Sequence, residues 1–305
     1  MNGTVAGAPV SFGVFELTPD GAETISPDAL LEVLLDAGYS GIDLGPAGFL
    51  GEDDELRARL DRFGLGLAGG WVQLPFSDDE AFQAAVPTLD AALRQFSAAA
   101  EGRSGLLPLP TLADDGSEAR KGAPGRGASI DPIRDDAWHR LAANVARAAD
   151  MVRRAGFEPT FHHHAGTFVE SPEEIDRFLA DVDVDLTLDT GHLFVAGGDP
   201  QDAVMRWGDR INHLHLKDVD LSVLQRVLAA GGGMREVWSS GAFVALGAGD
   251  VALAPVMDAM EKRGYDGWVL VEQDVLCGPD TALDDFIRDR SDAQRINREA
   301  LRPWL

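Results

Sequence analysis

Short apolar runs alternate along the chain with amphipathic segments of helical period, and short polar loops join them. This alternation predicts eight strands, each followed by a helix. The predicted strands cover residues 10–15, 41–44, 65–72, 105–109, 157–162, 185–188, 211–216 and 267–271. Eight strand–helix repeats over 305 residues indicate a (β/α)8 TIM barrel, an α/β fold.

The helices between these strands begin and end at typical signals. Ser26 is suited to cap a helix that has Pro27 at its first position, and Ser171 and Glu174 have the spacing of a capping box. The predicted helices cover residues 27–37, 53–63, 79–100, 132–155, 172–180, 200–207, 253–263 and 281–301.

An open doubly wound sheet is the alternative arrangement. No G-x-G-x-x-G motif follows any predicted strand, and polar clusters follow at least four different strands. An open sheet concentrates its site at one switch point, whereas a barrel gathers its site from many strand ends. We therefore expect one TIM-barrel domain over residues 1–305, with a mobile loop near 114–129 and a long excursion near 219–250.

The charge of the chain narrows the classes of partner. The formal net charge is -25, so nucleic acid and anionic membranes are not expected to bind. No apolar stretch is long enough to cross a bilayer, and the first residues lack the basic and apolar regions of a signal peptide. The single cysteine, Cys277, excludes an internal disulfide. We expect a cytoplasmic protein.

Histidines and carboxylates collect at the ends of the later predicted strands. Six of the seven histidines lie between positions 162 and 215. Asp189 follows the sixth strand, His215 ends the seventh and Glu272 follows the eighth. Together these three side chains supply a mixed nitrogen and oxygen set that suits Mn, Co, Fe, Zn or Mg. The pattern predicts a divalent-metal site at the barrel mouth.

Strand periodicity separates the histidines by face, because side chains two residues apart point the same way. His213 and His215 share a face, and His213, one layer lower, is expected to be a core histidine. His162 and His164 share a face, and His163 points towards the helices.

Three further residues near the mouth are candidates for catalysis or substrate binding. Lys217 either places a cation over a substrate oxygen or pairs with Asp218 at the surface. Trp71 offers an aromatic face to a sugar ring, with a core or rim position as the alternative. Gly191 permits a tight turn, which is expected to bring His192 over the mouth.

Four motifs together resemble the xylose isomerase-like TIM barrel family of sugar isomerases and epimerases. They are Phe-His-His-His-Ala-Gly-Thr at 161–167, Leu-Asp-Thr-Gly-His at 188–192, His-Leu-His-Leu-Lys-Asp at 213–218 and Val-Glu-Gln-Asp at 271–274. The resemblance extends over nearly the whole chain and includes the dehydratase branch of the family. It implies a divalent metal, commonly Mn or Co, and we assign Gln273 to substrate binding.

In the epimerases of this family, four strands supply Glu, Asp, His and Glu to the metal. Carried over, these ligands fall on His162, Asp189, His215 and Glu272. His162 departs from the pattern, since the epimerases use a pair of glutamates as acid and base. One base suffices for elimination, so the departure favours a lyase. Whether His162 or His164 binds the metal stays open.

The expected reaction is removal of water from a cyclic polyol ketone of the 2-keto-myo-inositol type. Glu272 or a histidine of the fifth strand acts as the base, His192 or His164 as the acid, and Lys217 stabilises the negative intermediate.

Three alternatives remain for the function. A ketose 3-epimerase or sugar isomerase shares the first half of the mechanism, and a lyase that splits a 3-keto-glycoside shares the whole of it. A barrel that has lost catalysis and serves in binding or assembly is the alternative of another class. The expected ligand is a small polyol or sugar ketone, and the resemblance allows a homo-oligomer.

Overall fold

The computed structural model describes residues 3–18, 23–277 and 281–305. Its strands are β1 (Thr4–Gly7), β2 (Gly41–Asp43), β3 (Gly66–Leu74), β4 (Leu109–Asp114), β5 (Thr160–His162), β6 (Asp185–Asp189), β7 (Ile211–Leu216), β8 (Asp218–Val219), β9 (Phe243–Val244) and β10 (Trp268–Val271). Short 3-10 turns occupy Pro9–Phe12 and Gly208–Arg210.

The helices follow the strands in regular alternation. They are α1 (Pro27–Asp36), α2 (Asp54–Phe63), α3 (Asp79–Ala100), α4 (Glu118–Lys121), α5 (Gly127–Ile130), α6 (Asp135–Arg154), α7 (Pro172–Asp181), α8 (Thr190–Val195), α9 (Pro200–Trp207), α10 (Leu221–Ala229), α11 (Met234–Ser239), α12 (Leu253–Lys262) and α13 (Leu283–Ala300). No helix among the described residues is both long and apolar enough to span a membrane.

Eight parallel strands close into a barrel in the order β1-β10-β7-β6-β5-β4-β3-β2. The TIM barrel predicted from the sequence is confirmed. Because all eight strands run the same way, their carboxyl ends meet at one face, which is the mouth. That the whole chain forms one domain stays a prediction.

The predicted helix starts are confirmed at two capped positions. Ser26 Oγ accepts a hydrogen bond from Ala29 N at the start of α1. Ser171 and Glu174 form the capping box at the start of α7. These caps satisfy N–H groups that the first turn of a helix leaves unpaired.

Two of the predicted strands were wrong in position. Residues 10–15 do not form a strand, because Pro9 starts a 3-10 turn that ends at Gly13 in the left-handed region. The first strand, β1, lies earlier in a run of small residues. Residues 105–108 precede β4, and Leu106 and Leu107 there are 42% and 50% exposed. Only Leu109 of the predicted strand lies in β4, and burial begins at Pro108, directly before it.

Two insertions cover the mouth. The first roof segment (residues 115–131) contains α4 and α5, where the sequence predicted a mobile loop; its mobility stays a prediction. The second roof segment (residues 218–251) contains α10, α11 and the antiparallel pair β8–β9. The segments touch, since a Cβ on Gly233 would lie 2.7 Å from the Lys121 carbonyl oxygen.

Candidate metal centre

Four side chains from four barrel strands converge at the mouth. They are His162, Asp189, His215 and Glu272, and each offers one ligand atom within 4.8 Å of the others. All four are buried. Buried carboxylates and imidazoles that face one another need a shared cation or a proton between them.

The strand register explains how residues far apart in sequence meet. Asp189 pairs with His215 between β6 and β7, and Leu270 pairs with His215 between β7 and β10. Glu272 lies just beyond β10, where its N–H donates to the Leu216 carbonyl. The ends of neighbouring strands therefore place these side chains over one point.

The ring of His162 is held in one orientation. Its Nδ1 hydrogen-bonds the His163 carbonyl oxygen, and a carbonyl only accepts, so Nδ1 carries the proton. In the neutral ring, Nε2 then has a free lone pair. This Nε2 lies 3.4 Å from Asp189 Oδ2, which also has lone pairs. Two acceptors that face each other in this way suit a cation between them.

Several atoms of the cluster lack a hydrogen-bond partner among the described residues. Asp189 Oδ1 accepts from His192 N at 2.7 Å, but Asp189 Oδ2 is buried without a hydrogen bond. Both ring nitrogens of His215 are also without one, although Nδ1 lies 3.1 Å from Glu272 Oε2. Buried polar atoms normally find a partner. These orphaned atoms and their donor types fit a divalent metal ion.

Lys217 lies beside the cluster and contacts three carboxylates. Its Nζ is 2.9 Å from Asp274 Oδ1, 3.0 Å from Glu272 Oε2 and 3.2 Å from Asp189 Oδ2. Burial lowers the pKa of Lys217, but these three acids outweigh burial and raise it above its usual value. If all three carboxylates are ionised, they and the one ammonium leave two negative charges, which one divalent cation would neutralise.

The two acidic candidate ligands differ in pKa. Burial raises the pKa of Asp189, but Lys217 and the neighbouring imidazoles outweigh it and hold that pKa well below its usual range. Burial raises the pKa of Glu272 to about 7, against the lowering effect of Lys217. Asp189 is therefore the stronger anion, and Glu272 exchanges a proton near neutral pH.

A second group, His164, His192 and Asp274, also brings three possible ligand atoms within 4.8 Å. Lys217 Nζ lies 3.0 Å from His192 Nε2 and 3.0 Å from Asp274 Oδ2, so this position already holds a positive charge. His192 was expected over the mouth, and its catalytic role stays a prediction. It is fully buried in α8, with its ring centroid 3.6 Å from that of His164, and it does not line the cavity.

A cavity of about 710 Å³ opens above the four candidate ligands, between the barrel and the roof segments. Trp71 and His164 line it, and their roles towards a substrate stay predictions. The ring centroid of Trp71 lies 5.2 Å from that of His162 and 5.1 Å from that of His164. Lys217 and Asp274 also line this space.

Gln273, assigned to substrate binding from the sequence, does not line the cavity, and its role stays a prediction. Its side chain lies outside the cavity, where Nε2 donates to the Phe243 carbonyl at 3.1 Å. Its backbone N–H donates to Ser11 Oγ at 2.9 Å. Neighbouring residues in extended chain point to opposite sides, so Gln273 turns away when Glu272 turns in.

The other histidines lie where periodicity placed them. His163 faces away from the mouth, and its Nε2 accepts from Asp189 N at 3.2 Å. His213 is fully buried below His215, with ring centroids 4.7 Å apart. Asp218 does not pair with Lys217; its carboxylate accepts backbone N–H groups of the second roof segment, including Gly249 N at 3.0 Å.

Three further buried acids line the cavity and were not identified as candidate site residues from the sequence. Asp43 ends β2, Asp114 ends β4, and Asp274 lies two residues after Glu272; all three are buried and line the cavity. The rule that identified Asp189, an acid at the carboxyl end of a buried strand, applies equally to Asp43 and Asp114.

Comparison with known proteins identifies the family. The sequence pattern of the xylose isomerase-like TIM barrel family matches residues 31–286. The chain belongs to this family. A member named inosose dehydratase, from Geobacillus kaustophilus, is 30% identical over 271 residues, which cover 87% of this chain and 85% of that protein.

Two solved structures share the fold of this chain. A probable 3-DHS dehydratase involved in petrobactin synthesis in Bacillus anthracis superimposes with a TM-score of 0.69 at 13% identity, covering 98% of both chains. The IolI protein, described with a bound zinc atom, also has a TM-score of 0.69, at 12% identity, covering 99% of both chains.

Proposed function

We propose that the protein is a divalent-metal-dependent dehydratase, a carbon–oxygen lyase that removes water from a cyclic polyol ketone such as 2-keto-myo-inositol. The convergence of His162, Asp189, His215 and Glu272, with orphaned buried atoms facing one another, carries the proposal. The 30% identical relative named inosose dehydratase supports the substrate class. Mn or Co is the metal that we propose for the site.

A divalent cation held by these four side chains supplies Lewis acidity towards the ketone of the substrate. Glu272 takes the proton from the carbon next to the ketone. Its Oε2 faces His215 and Lys217, while Oε1 makes no hydrogen bond within the described residues and is left to accept a proton. A base whose pKa is about 7 is matched to proton transfer near neutral pH.

Lys217 is placed to balance the negative charge of the enediolate, because it is the one ammonium among three carboxylates of the cluster. His164 donates Nδ1–H to the Ala165 carbonyl at 2.7 Å, which leaves Nε2 as an acceptor for a substrate hydroxyl. Trp71 supplies an aromatic face beside the ring of the substrate. A cytoplasmic location and a homo-oligomer stay predictions.

The test uses protein stripped of metal with a chelator and then reloaded with Mn²⁺. We expect the reloaded protein to convert 2-keto-myo-inositol in D2O to a product lighter by one water, detected by mass spectrometry and NMR. The stripped protein is the matched control and is expected to be inactive. Deuterium exchange with inversion and without loss of water would assign an epimerase instead, and no reaction with a loaded site would overturn the proposal.

A further inference from the structure

Asp43, at the end of β2, is a buried acid that has no role in the function proposed above. It is 7% exposed and lines the same cavity as His162 and Glu272. Its Oδ1 accepts from Gly45 N at 2.9 Å, and Oδ2 makes no hydrogen bond with any described residue. Gly45 has a φ of 63°, which glycine adopts without strain. The turn therefore fixes one carboxyl oxygen and leaves the other to the cavity.

The strand register puts Asp43 level with Glu272. Gly7 of β1 pairs with Ile42 on one side and with Val271 on the other. Asp43 and Glu272 are the next residues along their strands, so they lie at the same height and flank the end of β1.

Asp43 also stands across the mouth from Asp189, one of the candidate metal ligands. Around the closed barrel, β2 is four strands from β6 in either direction, so Asp43 faces the strand of Asp189 across the mouth. The four candidate ligands occupy the ends of β5, β6, β7 and β10. A substrate ring that meets this cluster with one edge turns its other edge towards Asp43.

The surroundings of Asp43 favour its protonated form. Burial, followed by the negative charge of Glu272 after β10, raises the pKa of Asp43 to about 7. Glu16, from the segment after the first 3-10 turn, acts in the same direction. The Gly45 N–H and His162 of β5 act against it. A carboxyl that still holds a proton near neutral pH is suited to donate one.

Resting on the proposed function, we infer that Asp43 is a catalytic acid that holds the departing hydroxyl of the substrate and protonates it. Glu272 first takes the α-proton, and the C–H electron pair passes into the enediolate. The C–O bond to the β-hydroxyl then breaks while Asp43 gives its proton to that oxygen, which leaves as water. The oxyanion of the enediolate re-forms the C=O bond, its C=C pair moves to make the new C=C bond to the β-carbon, and Asp43 is reprotonated from Glu272 through solvent.

Removal of the α-proton and loss of water are separate steps, and one experiment can follow both. The Mn²⁺-loaded protein is incubated with 2-keto-myo-inositol in D2O, and both deuterium in the remaining substrate and the dehydrated product are followed. In Asp43→Asn, the amide oxygen still accepts from Gly45 N but the acid is gone. We expect loss of water to slow by about 10²–10⁴-fold while deuterium exchange continues.

Asp36→Asn, an exposed acid at the end of α1, is the matched control and is expected to match the wild type in both readouts. Asp43→Ser is a second variant in case the amide does not fold. Dehydration at the wild-type rate in a folded Asp43 variant overturns the inference, and so does parallel loss of exchange and dehydration at full metal content. A wild type that shows neither exchange nor dehydration overturns the proposed function, and the inference with it.

Discussion

His162 and His164 lie on the same face of the chain, but their rings meet different partners. His162 Nε2 points at Asp189 Oδ2, the orphaned oxygen of the cluster. His164 instead lies against His192 and Trp71, beside the position that Lys217 fills with its own charge. The geometry therefore favours His162 as the metal ligand and leaves His164 to the substrate.

We predict that His162→Ala lowers Mn²⁺ affinity by at least about 10–100-fold, the loss typical even for residues that only support a ligand. His164→Ala is the matched control, and we expect it to keep its metal while it loses activity. Metal content after dialysis against a defined Mn²⁺ buffer checks both variants. Loss of metal in His164→Ala, with retention in His162→Ala, would reverse the assignment.

At the scale of single residues, strand periodicity predicted the direction of some side chains and not of others. It placed His162, His163 and His213 on their faces, because alternation along a strand is a local property. The same alternation turns Gln273 away from the mouth, where its side chain contacts Phe243. His192 lies beyond the end of β6, so the turn into α8 decides the direction of its side chain, and the spacing of residues does not show that turn.

At the scale of elements, the first roof segment is anchored by one buried acid, Glu170. Its Oε1 accepts from Gly125 N and Gly166 N at 2.7 and 2.9 Å, and its Oε2 accepts from Gly127 N at 3.0 Å. The side chain of Glu170 is only 1% exposed. It joins the roof to the loop that follows the β5 histidines.

We predict that Glu170→Gln loosens this roof segment. One carboxylate oxygen becomes an NH2 group that cannot accept, so at least one buried N–H loses its partner at a cost of about 1–3 kcal/mol. Hydrogen exchange followed by mass spectrometry should rise in peptides covering 115–131 and stay unchanged in α3. Glu173→Gln, exposed on α7, is the control. Unchanged protection of 115–131 would show that Glu170 is not the anchor.

Sequence patterns located the elements well where the chain carries strong signals. The bounds of α3, α9 and β7 agree with the prediction, since apolar periodicity and clear stops define them. The first strand was missed because β1 is a short run of small residues, which looks like an uncharged tail. The two helices of the first roof segment, α4 and α5, were missed because helices of four residues are too short to show a period.

At the scale of the whole molecule, eight repeats were enough to predict the barrel and hence the convergence of strand ends. The sequence could not predict the register, which sets Asp43 level with Glu272, or the meeting of the two roof segments at Gly233 and Lys121. Both depend on contacts between segments far apart in the chain. The position of Asp43 across the mouth from Asp189 is therefore seen only in the closed barrel.

The stability of the whole protein is expected to depend on pH through Asp114, which is 1% exposed. Burial raises its pKa from 3.8 to about 7, so this group costs stability progressively as the pH rises from about 4 to 7. Asp114→Asn keeps an acceptor for Gly116 N and Phe168 N and removes the charge. We therefore expect the Tm at pH 8 to lie roughly 2–4 °C above that of the wild type for each kcal/mol of destabilisation that the substitution removes, and the difference to be smaller at pH 5.

Asp90→Asn, exposed on α3, is the control. A larger rise in the Tm of Asp114→Asn at pH 5 than at pH 8 would contradict the prediction.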